Sequence, residues 1–475
     1  MKLATPAHPG AAMLQDTLRR QRAAHRAHPV PTLPERQADL HTLARFVREN
    51  RLALLDAVSA DYGYRSPHET LLTEIAPALA GIRHALKHLP RWMKPRRRGV
   101  DRLTYGFAGN RVIPQPLGVV GAIVPWNFPL NLSLNPLICI FAAGNRAMVK
   151  MSENSRHLAR LLIERMPAYF APEKLQFFDE TGGVGIEFSQ LPFDHLLFTG
   201  SGTTGRAVMA AAARNLVPVT LELGGKSPAI VCDDFDLELA AERILFVKYL
   251  NAGQICTTVD HAFVPESRVG AFVEHARRIV SRRYGDLDSR DYTSIIDRRS
   301  YERLTRALDD AAARGATLIA LLPGKARDDE RKRIAPHLVL DAPEDCELMQ
   351  REIFGPILPL VPYRDLDEVI ARVDAGPRPL AIYPFSRRRD RIDRIVERLM
   401  SGGVSVNDAL IHVGQDDLPF GGVGESGMGQ YHGHEGFLTF SKLRPVFRQA
   451  RWSSAALLTP PYGRLADRML AILTR

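Results

Sequence analysis

Between residues 118 and 222 short apolar runs alternate with segments of helical periodicity, and few architectures accommodate that alternation. Gly118-Val119-Val120-Gly121-Ala122-Ile123-Val124, Arg146-Ala147-Met148-Val149-Lys150, Leu175-Gln176-Phe177-Phe178 and His195-Leu196-Leu197-Phe198-Thr199 read as strands. His157 to Met166 and Arg206 to Ala213 read as helices. The pattern predicts βαβ units in a doubly wound α/β sheet. A second alternating region runs from near Gly224 to about residue 405, and the remainder returns to Gly-rich loops and strand-like pieces. A chain of 475 residues exceeds what one core serves, so two or three domains are expected. Because the sequence holds no low-complexity linker, those domains should interlock through chain crossings.

From Val112 to Asn145 there is no charged residue, a length sufficient to span a bilayer. Pro114, Pro116, Pro125, Pro129 and Pro136 interrupt it, as do Asn127, Asn131 and Asn135. A lipid-exposed helix must satisfy its own backbone, so these breaks argue instead for a buried strand, a loop and a buried helix. The N-terminus lacks a continuous apolar stretch of the secretory kind. Leu14, Leu18, Leu40, Leu43 and Phe46 fit amphipathic helices. The formal charge of +10 includes runs at Lys94-Pro95-Arg96-Arg97-Arg98 and Arg387-Arg388-Arg389. Neither zinc-finger spacing nor an RNA-binding aromatic signature accompanies them, so they read as solvated surface rather than a nucleic-acid site. Cys139, Cys232, Cys256 and Cys346 lie far apart, which argues against a disulfide framework or a zinc site and fits a reducing cytoplasm. A cytoplasmic protein with neither a membrane nor a nucleic-acid partner is expected.

Two segments carry chemistry. After the strand ending at Phe198 comes Gly200-Ser201-Gly202-Thr203-Thr204-Gly205, then the helical run to Ala213. This strand–GxGxxG–helix context is that of a dinucleotide site, where glycines let backbone N–H groups approach a pyrophosphate at a helix N-terminus. On that fingerprint alone, Glu222 becomes the ribose-binding carboxylate, and the alternative is a chance match at a tight turn. The second segment is Asn251-Ala252-Gly253-Gln254-Ile255-Cys256, a thiol just after a Gly-containing turn. It follows Leu221-Glu222-Leu223-Gly224-Gly225-Lys226-Ser227-Pro228, a carboxylate just before a glycine pair. A thiolate attacks a carbonyl carbon, and a nearby carboxylate takes protons from thiol or water. Ribose binding and proton transfer therefore compete for Glu222, and a simple ion pair with Lys226 is a third possibility.

Both segments resemble, residue for residue, the active-site signatures of the aldehyde dehydrogenase superfamily. The resemblance extends over roughly residues 10 to 460. It implies a Rossmann-type cofactor domain over 1–222 with an oligomerisation hairpin about 99–115, and a catalytic domain over 223–405. Residues 406–475 would return to the cofactor and oligomerisation region and supply a substrate-tunnel loop. Cys256 would be the nucleophile, and Asn127, in Pro125-Trp126-Asn127-Phe128-Pro129, would donate its amide to the oxyanion. The resemblance frees Glu222 to activate the water that hydrolyses a thioester. The ribose carboxylate then comes from Lys150-Met151-Ser152-Glu153, so Lys150 and Glu153 would hold the adenosine ribose of NAD, with NADP also possible. Gly200, Ser201 and Gly205 form the cofactor turn. Glu352, in Glu352-Ile353-Phe354-Gly355-Pro356, would hold the nicotinamide ribose, with Phe354 beside the ring and Trp126 in the same cofactor-binding set. No metal is implied.

Pro419 to Phe437 looks like the superfamily's tunnel loop, and Ser426-Gly427-Met428-Gly429 with Tyr431-His432-Gly433 resembles its class 3 branch, which is typically dimeric. Within that branch Lys150-Met151-Ser152-Glu153 and Tyr431 to Phe437 are most similar to bacterial coniferyl aldehyde dehydrogenases. Phe128, Gly202 and Thr257-Thr258 depart from the branch's usual residues without touching the reaction class. Phe128, Leu130, Thr257 and Tyr431 to Phe437 are expected to line the tunnel, favouring a flat apolar aldehyde over a charged semialdehyde. A medium- or long-chain aliphatic aldehyde is the runner-up. A coenzyme A-acylating enzyme is disfavoured by the carboxylate at Glu222, and a nucleotide-binding scaffold by the intact catalytic set. The hairpin and the chain after Phe440 are expected to pair across a homodimer.

Overall fold

The computed structural model describes residues 9–180, 184–451, 453 and 457–474. Positions 1–8, 181–183, 452, 454–456 and 475 of the expected first and last segments lie outside the described residues. All of the strands expected between 118 and 200 form, and they join one six-stranded sheet. From one edge its order is Gly427–Met428, Val219–Glu222, His195–Thr199, Val119–Ile123, Arg146–Lys150 and Leu175–Phe178. Every pairing is parallel except that of Gly427–Met428 with Val219–Glu222. Val119–Ile123 lies at the centre, buried throughout, because a strand covered on both faces needs no polar alternation. Chain order reverses on either side of it, and in such sheets the crevice at the strand C-termini binds ligands.

The uncharged stretch folds as its prolines require. Asn131–Ala142 is a helix whose residues from Ser133 onward are nearly all buried, so it is apolar all round without any lipid. Among the described residues no helix is long and apolar enough to cross a membrane. The N-terminal helices Pro9–Ala27 and Leu33–Glu49 bury Leu14, Leu18, Leu40, Leu43 and Phe46.

A second, seven-stranded sheet runs from Pro228–Val231 to Gly403–Val404, with His261–Pro265 and Ile357–Tyr363 at its centre. In the third sheet Gly109–Pro116 pairs antiparallel with Ser441–Arg448 over eight residue pairs, and with Arg96–Arg98 on its other side. Hairpin and chain end thus pair with each other within one chain, where a long connection returns the end beside the hairpin. The basic runs lie on the surface. Arg96–Arg98 are exposed, while Arg388 and Arg389 pair with Asp390 and Asp393.

Candidate active site

Four of the segments singled out by sequence meet at the C-terminal end of the first sheet. Trp126 and Asn127 follow its central strand, Lys150 and Glu153 its neighbour, Gly200 and Ser201 the next, and Glu222 ends the fourth. The N–H of Gly200 donates to the carbonyl of Glu222 at 3.0 Å, which ties the glycine turn to the carboxylate-bearing strand.

Cys256 follows a turn of unusual backbone. Asn251, Ala252 and Gly253 take φ of 52°, 51° and 74°, three consecutive left-handed residues. Such conformations are costly outside glycine and persist where the surroundings over-determine them. Here they do. A Cβ on Gly253 would collide with the carbonyl oxygen of Gly355. The Gln254 side chain is bonded at both ends, donating to Asn251 O at 2.9 Å and Ser294 O at 3.1 Å and accepting from Ile296 N at 3.0 Å. The Gln254 carbonyl accepts the side-chain amide of Asn127 at 3.3 Å. That contact places the Asn127 carboxamide against the turn that presents the thiol.

Of the four cysteines, only Cys256 is partly exposed, and the other three are buried. Its thiol is held up at about 12 by burial first and then by the carboxylates of Glu352 and Glu222. The thiol is therefore neutral at rest, with both carboxylates near enough for their charge to act on it.

Glu222 is buried, and neither carboxyl oxygen has a hydrogen-bond partner. Burial raises its pKa well above the ordinary carboxylate range. The ion pair considered with Lys226 does not form, because Lys226 bonds Asp260 and the carbonyls of Leu348 and Arg351. Glu352 is also orphaned at Oε1, and burial followed by the Asp260 charge raises it to about 8. The N–H of Gly225 donates to it, and its carboxyl fills the space a Cβ on Gly224 would need. The glycine pair after Glu222 thus makes room for the second carboxylate.

Glu352 and the exposed Glu153 suit ribose hydroxyls, while the helix Gly202–Ala213 starts at the glycine turn with its first N–H groups near the crevice. Ser201 caps that helix, accepting from Thr204 N. Phe354, at a φ of 50°, meets Trp126 edge-to-face at 5.4 Å, so these two rings form one wall. Lys150 ion-pairs with Glu180, a partner the sequence did not suggest. The residues present fit a dinucleotide.

Leu130 is fully buried in the core cluster against which Cys256 also packs, whereas Phe128 clusters with Leu250 and Ile255, flanked by Leu132 and Leu410. Tyr431 and Phe437 are likewise buried, and the Tyr431 hydroxyl has no partner although it lies near Glu222, Cys256 and Cys139. Lys248 was missed altogether. It is fully buried without a hydrogen-bond partner near Asp260 and Glu352, and burial lowers it to about 7. A lone lysine within Ile244-Leu245-Phe246-Val247-Lys248-Tyr249 was the available signal.

This constellation, a thiol with an amide donor and two proton-holding carboxylates beside a dinucleotide crevice, defines an oxidoreductase acting on carbonyl carbon. The chain belongs to the Aldehyde dehydrogenase family, matched over residues 2–446. It is 44% identical over 468 residues to the coniferyl aldehyde dehydrogenase of Pseudomonas sp. strain HR199, covering 98% of this chain and 97% of that protein. It is 37% identical to the rat protein named aldehyde dehydrogenase, dimeric NADP-preferring, covering 91% and 93%. The solved structure of Staphylococcus aureus AldH in its substrate-bound state matches with a TM-score of 0.91 at 33% identity, covering 97% and 99%. The resemblance read from the motifs is therefore a family membership.

Proposed function

We propose that this aldehyde dehydrogenase oxidises coniferyl aldehyde to ferulate, with NAD as acceptor and Cys256 as nucleophile. The observation that carries the substrate reading is the apolar cluster of Phe128, Leu132, Leu250, Ile255 and Leu410, which flanks Cys256 in the chain through Ile255 and follows Asn127 through Phe128. A charged semialdehyde needs a buried cation, and the guanidinium packed on that cluster, that of Arg65, is already paired with Glu74. The name of the Pseudomonas relative supports the narrower choice.

An aldehyde carbon holds no lone pair able to expel hydride, so a nucleophile must add first. Cys256 attacks and gives up its proton towards Glu222 or Glu352. The developing oxyanion takes hydrogen bonds from the Asn127 amide and the Cys256 N–H, donors held in place before reaction. NAD, when bound, supplies the acceptor for the hydride that leaves this adduct. Glu352 and Glu153 would hold its two riboses, Lys150 would stand beside the adenosine ribose, and Gly200, Ser201 and Gly205 would admit the pyrophosphate. Phe354 and Trp126 would wall the ring. Glu222 then takes a proton from water, which hydrolyses the thioester. Free, widely spaced cysteines support a cytoplasmic setting, and the rat relative's name supports a homodimer.

The test is kcat/KM for coniferaldehyde, benzaldehyde, hexanal and succinic semialdehyde side by side. Coniferaldehyde should lead by about tenfold. If hexanal leads, the aliphatic reading replaces the coniferyl one, and if succinic semialdehyde leads, the apolar cluster is not the selector. Cofactor choice is a separate expectation. The Glu153 carboxylate accepts from two ribose hydroxyls but repels a 2′-phosphate, so NAD should exceed NADP in kcat/KM by about tenfold, equivalent to ~1.4 kcal/mol. A clear NADP preference, as in the rat relative's name, would remove Glu153 from that role.

A further inference from the structure

The segment from Tyr62 to Ile75 lies far from every motif above, yet four of its buried side chains hold the two loops that meet at the thiol. Arg65 and Glu74, both without side-chain exposure, form an ion pair at 2.6 Å. The second Glu74 oxygen accepts the N–H of Leu130 at 2.7 Å and of Asn131 at 3.2 Å. Arg65 donates to the carbonyl of Asn127 at 3.1 Å, and its guanidinium lies 4.9 Å over the Phe128 ring. The pair therefore grips the loop 127–131 at both ends.

The same segment reaches the nucleophile turn. Tyr62 donates its hydroxyl to the Asn127 carbonyl at 2.9 Å and accepts from the Asn251 side chain at 3.3 Å. Glu69 accepts the Asn251 N–H at 3.1 Å with one oxygen, and the Thr293 hydroxyl holds the other. Asn251 is the first of the three left-handed residues leading to Cys256.

Local geometry fits the task. Residues five apart stand about 140° apart on an α-helix. Leu71–Ile75 is a π-helical turn, closed by i→i+5 bonds, which brings Glu69 and Glu74 towards one face. Such turns concentrate at functional sites. Two buried carboxylates facing one guanidinium are a poor source of stability, because desolvation offsets much of their attraction, so their arrangement calls for another purpose.

We propose that Arg65, Glu69 and Glu74 are positioning residues that hold the Asn127 amide in register with Cys256. This rests on the oxyanion role given to Asn127 and extends it to a segment outside the site.

The test is a double-mutant cycle on the full-length enzyme, pairing Arg65→Lys with Asn127→Ala and reading the single-turnover rate of NADH formation. Arg65→Lys alone should lower that rate about 10- to 100-fold. KM, NAD affinity and the rate of Cys256 alkylation by iodoacetamide should move less than about threefold. In the Asn127→Ala background the same substitution should change the rate less than about twofold, because the group it positions is gone. Full additivity would overturn the proposal while leaving the oxyanion role intact. An Asn127→Ala enzyme as fast as the parent would overturn that role and the proposal with it. Should Arg65→Lys fail to fold, Glu69→Ala takes its place in the cycle. Glu69→Gln keeps an acceptor for the Asn251 N–H and should recover most of the loss, and no recovery would count against positioning.

Discussion

Replacing Cys256 with Ala should lower kcat by about 10⁴-fold or more while NAD still binds, whereas Cys139→Ala, Cys232→Ala and Cys346→Ala should each keep turnover. The magnitude is that of removing a nucleophile from a group of residues acting as a unit. Thiol acidity does not separate these cysteines. Burial pushes Cys139 up to about 12 and Cys232 to about 11, and Cys256 stands as high. What separates Cys256 is place. It is partly exposed, it follows a strained turn bonded to the Asn127 amide, and two carboxylates that favour their protonated forms lie close by. A thiol that is neutral at rest needs a base when it reacts, because only the thiolate attacks, and a carboxyl of raised pKa is the stronger base once ionised. NADH formation with coniferaldehyde, alongside NAD titration of the same preparation, reads both halves. Full turnover by the Cys256→Ala enzyme would sink the mechanism.

What the sequence revealed and what it hid divide along one line. Strands buried on both faces announce themselves by composition, so Val119–Ile123, Arg146–Lys150 and His195–Thr199 were legible, as was the switch point they create. Chemistry carried within a few residues was equally legible, as with Cys256 and its turn. Pairings across the chain were not. The union of Gly109–Pro116 with Ser441–Arg448 leaves no mark in either strand alone. Lys226 sits four residues from Glu222 but pairs with Asp260, because the strand ends at Glu222 and Lys226 lies in the loop that leads to the second sheet. Leu130, expected among the tunnel residues, is fully buried in the core cluster against which Cys256 packs, a placement that no local pattern reveals. Arg65 and Glu74 carry no motif, charged residues are rarely fully buried, and only the fold brings them to the Asn127 loop.

Glu222→Gln should separate the two meanings the sequence left open for that carboxylate. Both of its oxygens are buried and unbonded, and its pKa stands well above the ordinary range. Because burial favours its neutral form, raising the pH increases the fraction able to take a proton from water. If that proton transfer limits turnover, the parent's kcat should still climb with pH above the ordinary carboxylate range, and the Gln variant should lose that climb. If Glu352, whose charge also acts on the thiol, takes the thiol proton instead, acylation survives the loss of this base. Rapid mixing should therefore show a burst of NADH about equal to the enzyme, followed by turnover slowed about 10²- to 10⁴-fold. A variant that binds NAD poorly yet turns over normally at saturating cofactor would return Glu222 to the ribose, as the glycine fingerprint alone suggests. The structure weighs against that outcome. Glu222 is buried with neither oxygen bonded, whereas Glu352 takes the Gly225 N–H and Glu153 stands exposed just past the strand Arg146–Lys150, so those two are better placed to accept from ribose hydroxyls.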